Sequence, residues 1–251
     1  MLLKLHLCYN LQRIERGKIE FMKFNQIEIF KKLDQSFEEQ FLQYGKVVTF
    51  HKGETPFMGD ELHHYFYIVL KGKIKTSQMN LETSREITLS IYRQGDMFDT
   101  LILLDGKAHD LLYEVLERVE LLQLPIEKVR EWLRDNDQFN RHFFPYIASQ
   151  MRHKESLASD LALYNTSQRL SKLLLQNIDP SNHHYYQLLQ NLSKTEIAKL
   201  LGTVRHVVER HLKELERDNI IENRRKDIYL KDIKKLLQDS DYLLLENNLQ
   251  N

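Results

Sequence analysis

Gly202 separates two short amphipathic stretches, Leu192-Ser193-Lys194-Thr195-Glu196-Ile197-Ala198-Lys199-Leu200-Leu201 and Thr203-Val204-Arg205-His206-Val207-Val208-Glu209-Arg210-His211-Leu212-Lys213-Glu214-Leu215-Glu216. In the first, Ser193 and Glu196 have the spacing of a capping box, which predicts a helix starting at Lys194 with Ile197, Leu200 and Leu201 on one face. Gly202 supplies the permissive backbone for a sharp turn out of that helix. Thr203 is placed to cap a second helix whose Val207, Val208, Leu212 and Leu215 lie inward, leaving Arg205, His206, Glu209 and Arg210 outward near its start. This is the layout of a helix-turn-helix, in which one helix braces and the next offers long polar side chains to base edges in a major groove. An ordinary helical hairpin shares the pattern, so the rest of the chain has to decide.

At 251 residues the chain has room for two domains. Lys+Arg and Asp+Glu both number 36, which leaves no polybasic anchor, although DNA binding requires only a local basic face. The single cysteine, Cys8, rules out a disulfide within the chain and a cluster held by four of its own cysteines. No apolar run approaches the roughly 20 residues of a membrane span, and residues 1–7 are too short and interrupted for a secretory signal. A cytoplasmic protein with no membrane partner is expected.

Residues 1–24 form an N-terminal extension. Leu2, Leu3, Leu5 and Leu7 precede a charged run, and Met22 opens a better-patterned sequence, so the leader is an extra arm, a consequence of an upstream start, or one more helix. Residues 25–44 fit one or two short helices. Then the period changes to two. Strands are predicted at 47–50, 65–70, from Ile74, at 86–92, 112–116 and 119–124, with turns at Lys52-Gly53-Glu54-Thr55-Pro56, Lys71-Gly72-Lys73 and Gln94-Gly95-Asp96. Strands this short and this closely spaced suggest a small antiparallel roll over residues 25–136. Pro125 opens a helix, where its missing amide costs nothing. Residues 137–164 read as one long helix, in which Phe143 or Phe144, Ile147, Met151, Leu157, Leu161 and Tyr164 recur at steps of three and four. Such a stripe asks for a partner helix or for its own domain. Residues 165–251 hold a helix from Gln168 capped by Thr166 and Ser167, a loop at 177–184, the hinged helices, two strands around Asn223-Arg224-Arg225-Lys226 in the manner of a wing, and a short helix in the tail from Asp232.

In this order (helix, β-roll, long helix, winged helix-turn-helix) the chain resembles the Crp/Fnr family of bacterial transcription regulators. The matching residues are Tyr67-Ile68-Val69-Leu70-Lys71-Gly72-Lys73-Ile74, Gly95-Asp96-Met97-Phe98, Glu114-Val115-Leu116-Glu117 to Pro125, and 192–221, so that residues 24–230 are covered. The resemblance implies an α+β fold: an N-terminal antiparallel β-roll of the cyclic-nucleotide-binding, jelly-roll type, a long dimerisation helix and a C-terminal winged helix-turn-helix. It implies a regulator, not an enzyme, that binds palindromic double-stranded DNA as a homodimer, with RNA polymerase as a further partner. Phe144, Ile147, Met151, Leu157, Leu161 and Tyr164 would form the dimer seam. Arg205, His206, Glu209 and Arg210 would face the bases, and Ser193, Lys194, Thr195 and Thr203 the phosphates. Arg205 and Arg210 keep the family's residue type, while His206 replaces its commonest residue, glutamate, and predicts an altered base preference. Arg224, Arg225 and Lys226 would touch flanking backbone, or form a solvated charge run.

The signal is read mainly by exclusion. Members of the family that bind cAMP carry a Gly-Glu pair for the ribose and an Arg-Ser pair for the phosphate. Here Asp99-Thr100 and Asp110-Leu111 stand at those places, and an aspartate repels a phosphate. An effector pocket, if present, is expected around Met97, Phe98, Thr100, Asp110 and Leu111. No metal or cofactor is expected. Two alternatives stay open: a haem-based gas or redox sensor, with His63, His64 and His109 near the roll's turns and His109 the candidate axial ligand, and a ligand-sensing scaffold that does not bind DNA. Catalytic motifs are missing from the chain: it has no phosphate-binding glycine loop, no His-Glu-x-x-His and no nucleophile elbow.

Overall fold

The computed structural model describes residues 35–57, 60–179, 182–186, 189–224 and 227–239. The elements follow in chain order as α1 (Gln35–Tyr44), β1 (Lys46–Phe50), α2 (Glu61–His64), β2 (Tyr65–Lys71), β3 (Ile74–Met79), β4 (Glu86–Tyr92), β5 (Met97–Phe98), α3 (Thr100–Asp105), β6 (Leu112–Val115), β7 (Val119–Pro125) and α4 (Ile126–Asp135). They continue as α5 (Asp137–Leu163), α6 (Thr166–Gln176), β8 (Ile178–Asp179), β9 (Asn182–Tyr186), α7 (Lys194–Leu200), α8 (Arg205–Arg217), β10 (Ile221–Asn223), β11 (Ile228–Leu230) and α9 (Ile233–Asp239). The expected leader, Arg225 and Lys226 of the wing turn, and the end of the tail lie outside the described residues. The chain divides into two compact units, one of described residues up to Lys75 with Tyr92–Gln150, the other of Thr76–Ile91 with described residues from Met151 onward.

In the first unit a four-stranded antiparallel sheet runs β1-β7-β2-β5, with Val47 opposite Leu122, Ile68 opposite the same Leu122, and Tyr67 opposite Phe98. The interior strand β7 reads Val-Glu-Leu-Leu-Gln-Leu-Pro, and its Val119, Leu121, Leu122 and Leu124 are all buried. An aromatic cluster fills the space over the sheet: Phe57 lies 4.5 Å from Tyr67 and 5.2 Å from Phe98, Tyr113 packs edge-on to Phe57 at 5.5 Å, and Tyr67 stacks on Phe98 at 5.4 Å. Gly72 turns the chain after β2 with φ +88°, and a Cβ there would meet the Arg118 carbonyl at 2.3 Å, so no other residue fits. α4 closes one end of the unit through Trp132, which packs on Phe41 at 4.7 Å and donates to Gln40 at 2.9 Å.

Burial of the phenols has a measurable consequence. It pushes Tyr67 up from 10.0 to about 12, and it raises Tyr113 and Tyr146 as well. A hydroxyl held neutral in the fold above its unfolded value stabilises fully below about pH 10, and that contribution is lost as the pH rises through the folded value. The first unit is therefore expected to unfold with a steep onset above about pH 10, together with the appearance of tyrosinate absorbance. Tyrosinate appearing gradually in a protein whose circular dichroism is unchanged to pH 12 would contradict it.

The first half of α5 belongs to the same unit. Phe139 and Phe143 point into it and stack at 5.5 Å, so of the two candidates for the seam Phe143 is core, while Phe144 is exposed. Tyr146 is pinned to β5: its hydroxyl donates to the Met97 carbonyl at 2.6 Å and accepts from the Met97 amide at 3.0 Å. Pro145 lies inside the helix.

In the second unit, β3 and β4 are neighbours joined by a hairpin whose Asn80 carboxamide oxygen accepts from the amides of Glu82 and Thr83 at 3.0 and 2.9 Å. α6 begins at Thr166, one residue earlier than a cap at Thr166 allows and two earlier than a cap at Ser167. Asn165 is the cap, in a reciprocal box with Gln168, because its carboxamide reaches the Gln168 amide at 3.0 Å while Gln168 returns to the Asn165 amide at 3.1 Å. Lys172, almost fully buried on α6, is neutralised by Asp160 and donates to Ser156 at 3.0 Å. The loop expected at 177–184 is a small ladder instead: β8 and β9 pair antiparallel, with Ile178 opposite Tyr186 and Asp179 opposite Asn182. Below them α6, α7, α8, β10, β11 and α9 bury one core of Leu170, Leu174, Ile197, Ala198, Val208, Leu212, Leu215, Ile221, Leu230 and Leu236.

Candidate nucleic-acid interface

α7 starts as its sequence requires: the Ser193 hydroxyl accepts from the Glu196 amide at 3.1 Å. The turn that follows is tighter than a cap at Thr203. Thr203 uses its own amide to close the end of α7 on the Ala198 carbonyl at 2.9 Å, and the extended residue before α8 is Val204, which offers no side-chain cap. Gly202 stands at φ +62° between them.

α8 is strongly two-faced. Val208 and Leu212 are completely buried and Leu215 nearly so, while Arg205, His206 and Arg210 are exposed and Glu209 is half-buried beside them. The Arg205 Nε donates to Glu209 at 2.7 Å, one turn along the helix, and Arg210 reaches toward Glu214 at 4.0 Å. With Lys213, Glu214 and Arg217, the side chains of His206, Glu209 and Arg210 line a shallow groove of about 380 Å³ along the outer face. The four residues expected to face the bases are thus brought together.

The expected phosphate contacts divide. Ser193 and Thr195 are exposed and Thr203 is half-buried. Lys194 turns instead toward the wing and donates to Asn223 of β10 at 2.6 Å, and burial there holds its ammonium below lysine's ordinary range. The wing pairs Ile221 with Leu230 and Asn223 with Ile228, and Arg224 in its turn lies over the Tyr229 ring at 4.4 Å while donating to Glu222 at 2.7 Å. The Lys194–Asn223 bond and the stacked arginine have no signature in the spacing of the chain, since their partners are 29 and 5 positions away and meet only once the wing has folded back.

The residues expected around an effector pocket separate. Met97 and Phe98 are fully buried members of the aromatic core, so they form its floor and not a lining. Asp110 and Leu111 do line a cavity, of about 210 Å³, with Phe57, Leu62, His63, Ile102, Ala108, His109 and Tyr113, whereas Thr100 is not among its walls. Asp99, at the place of the family's glycine, adopts the left-handed conformation at φ +57°. Its carboxylate caps α3 through the Ile102 amide at 3.4 Å, accepts from the Tyr113 hydroxyl, and lies 3.0 Å from Nε2 of His109. Two arginine bonds finish the segment: Arg130 donates to the carbonyls of Leu103 at 3.0 Å and Ile102 at 2.9 Å. On the long helix, Phe144, Met151 and Leu161 are exposed, Ile147 and Leu157 are half-buried, and Tyr164 follows the last helical residue.

Two families match this chain: "Crp-like helix-turn-helix domain" over residues 168–238 and "Cyclic nucleotide-binding domain" over residues 47–136. The chain belongs to the Crp/Fnr family of transcription regulators. It is 29% identical over 187 residues to the global nitrogen regulator of a Nostoc species, a match spanning 72% of this chain and 83% of that protein. Over 192 residues it is 24% identical to the CRP-like cAMP-activated global transcriptional regulator of Mycobacterium tuberculosis, spanning 75% of this chain and 85% of the relative. Among solved structures, FixK2 from Bradyrhizobium japonicum superimposes with a TM-score of 0.67 at 21% identity over 77% of this chain and 96% of that one. A CooA variant from Carboxydothermus hydrogenoformans does so with a TM-score of 0.68 at 20% identity over 85% and 94%. These two likenesses give the fold alone, a β-roll followed by a winged helix-turn-helix. No helix among the described residues is long and apolar enough to cross a membrane.

Proposed function

We propose that this Crp/Fnr regulator binds a two-fold symmetric DNA site as a homodimer, joined along α5, and reads each half-site with α8. The observation that carries the reading is the division of α8 itself. Three apolar residues are locked into the core, which fixes the helix's rotation, and Arg205, His206, Glu209 and Arg210 are thereby held on the one face left for a groove. Each arginine suits a guanine, because its fork meets O6 and N7 together. Ser193, Thr195 and Thr203 supply hydroxyls for the flanking phosphates, and Lys194, held by Asn223, positions the wing. The exposed Phe144 and Met151 give the long helix apolar area to bury against a second copy.

For the sensing half, we infer a regulator that does not take cAMP. Asp99 already supplies a negative charge inside the segment, its partners being Tyr113 and His109 of the same chain, and Asp110 stands at the rim of the cavity. A bound phosphate there would face the Asp110 carboxylate, with the buried Asp99 carboxylate behind His109 and Tyr113 and no arginine among the lining residues. The same bonds argue against His109 as a haem ligand, since its Nε2 is engaged by Asp99. The relative from Mycobacterium tuberculosis is described as cAMP-activated, so calorimetry with cAMP is the direct comparison, and no heat of binding is expected.

The whole reading is tested by selecting bound duplexes from a random pool with the purified protein. A palindromic consensus is expected, and affinity for it should fall steeply with added salt as phosphates are neutralised. Failure to enrich any sequence would support the scaffold alternative. His206 makes a sharper prediction. Glutamate accepts from the amino group of cytosine, while an imidazole also donates. His206→Glu is therefore expected to move the selected half-site toward the family's usual base at that one position. An unchanged consensus would remove His206 from the base-contacting set.

A further inference from the structure

The β3–β4 hairpin meets the helix-turn-helix at two places within the second unit. At the first, Lys199 of α7 lies 2.7 Å from the Glu86 carboxylate, and the pair is mostly shielded, with the two side chains 24% and 17% exposed. At the second, the turn itself is seated. A Cβ on Gly202 would come within 2.9 Å of the Leu161 side chain on α5 and 3.5 Å of the Ile87 side chain on β4. The base of the hairpin is tied to α5 by Lys154, which donates to the Ser90 hydroxyl at 2.6 Å and the Leu89 carbonyl at 3.1 Å.

Beyond these contacts the hairpin tip and the reading head become the two walls of an open cleft of about 1050 Å³. Asn80, Thr83 and Arg85 stand on one wall, and Thr195, Thr203 and Arg205 on the other. The tip is not a slack loop, because Asn80 also accepts from the Thr83 hydroxyl at 3.0 Å and the Asn80 amide closes on the Arg85 carbonyl at 2.9 Å. The second wall is the edge that meets the nucleic-acid backbone in the function proposed above. A strand reaching Thr195 and Thr203 has to enter between the walls.

We propose that the β3–β4 hairpin is an autoinhibitory latch on the helix-turn-helix: the Glu86–Lys199 pair and the seat of Gly202 on Ile87 hold the reading head under the hairpin tip, and full DNA affinity requires the tip to withdraw. The proposal rests on the reading of α8 as the helix that contacts DNA. Glu86 is the residue to change, since it lies on the hairpin and takes no part in the DNA-contacting face.

The test uses the full chain and the palindrome enriched from the random pool. Glu86→Ala and Glu86→Gln are both expected to bind it about tenfold more tightly than the wild type, within the range that coupling between two states commonly spans. Glu86→Asp keeps the charge and should stay near the wild type. Hydrogen exchange over residues 78–87 should quicken in the wild type when DNA is added, and should be quick without DNA in Glu86→Ala. Equal or weaker binding by both uncharged variants, beside a wild type that binds its site, overturns the latch and leaves the reading of α8 intact. Absence of site-specific binding in the wild type and in every variant overturns both. Binding by Glu86→Ala alone supports the latch.

Discussion

Arg205→Ala and Arg210→Ala are each expected to weaken binding to the selected palindrome by about 2–6 kcal/mol, because a good bidentate pair with guanine is worth roughly 1–3 kcal/mol and acts once in each half-site. The loss should be unequal across sequences: affinity for random duplex falls only by the share of one cation per subunit, so the ratio of specific to non-specific binding collapses. Arg205→Lys and Arg210→Lys should recover the non-specific part but little of the rest, since an ammonium lacks the planar fork. Fluorescence anisotropy with the palindrome and with a scrambled duplex measures both terms. A drop of the same size on both duplexes would reassign these arginines to the phosphates. Glu209 gives a finer readout. It accepts from the Arg205 Nε at 2.7 Å and so orients a guanidinium whose two terminal amino groups would meet a base in the proposed complex. Its removal should loosen sequence preference more than affinity.

The second large effect is expected in the sensing half. Asp99→Ala removes the cap of α3 and leaves the Tyr113 hydroxyl buried without its carboxylate, and the sum of a lost cap and an unsatisfied buried group is about 2–4 kcal/mol. The alanine also inherits a left-handed backbone, at φ +57°, that suits it poorly. Asp99→Gly gives up the same bonds but relieves the backbone, so it should be the less damaging of the two. Asp99→Asn keeps an acceptor in place and should fall nearest the wild type. Urea unfolding of the three variants orders them. If Asp99→Ala were as stable as the wild type, the cluster of Asp99, His109 and Tyr113 would be decoration on a segment held by Arg130 alone.

The periodicity of the chain was enough for most strands and for α5, because alternation over six or seven residues and a stripe over twenty-seven are properties of the local sequence. The outward placement of Arg205, His206, Glu209 and Arg210 was legible for the same reason: a helix phase is set by Val208, Leu212 and Leu215, and the outward face follows from it. What escaped depends on partners far along the chain. β8 and β9 are too short to show a period, and they form only because each satisfies the other's backbone. Met97 and Phe98 look like pocket residues from their place after a turn, yet four aromatic side chains from other segments, Phe57, Tyr67, Tyr92 and Tyr113, close over Phe98. Asp99 was readable as a departure from the family, but its role was not, since nothing local foretells that His109 and Tyr113 converge on it. A cap at Asn165 in place of Thr166 differs by one residue and shows how several adjacent acceptors compete for one helix start.

The clip between Tyr146 and Met97 limits how the long helix can move. One hydroxyl both donates to and accepts from the backbone of a single strand residue, at 2.6 and 3.0 Å, so it behaves as an added rung of the sheet that happens to be mounted on a helix. Advancing the helix along its axis by a single residue, a travel of about 1.5 Å, would break both bonds at once, whereas swivelling about the hydroxyl would strain neither. Tyr146 is thus a pivot pin. Through it, a shift of β5 along the helix axis would have to carry the first half of the helix along or break both bonds.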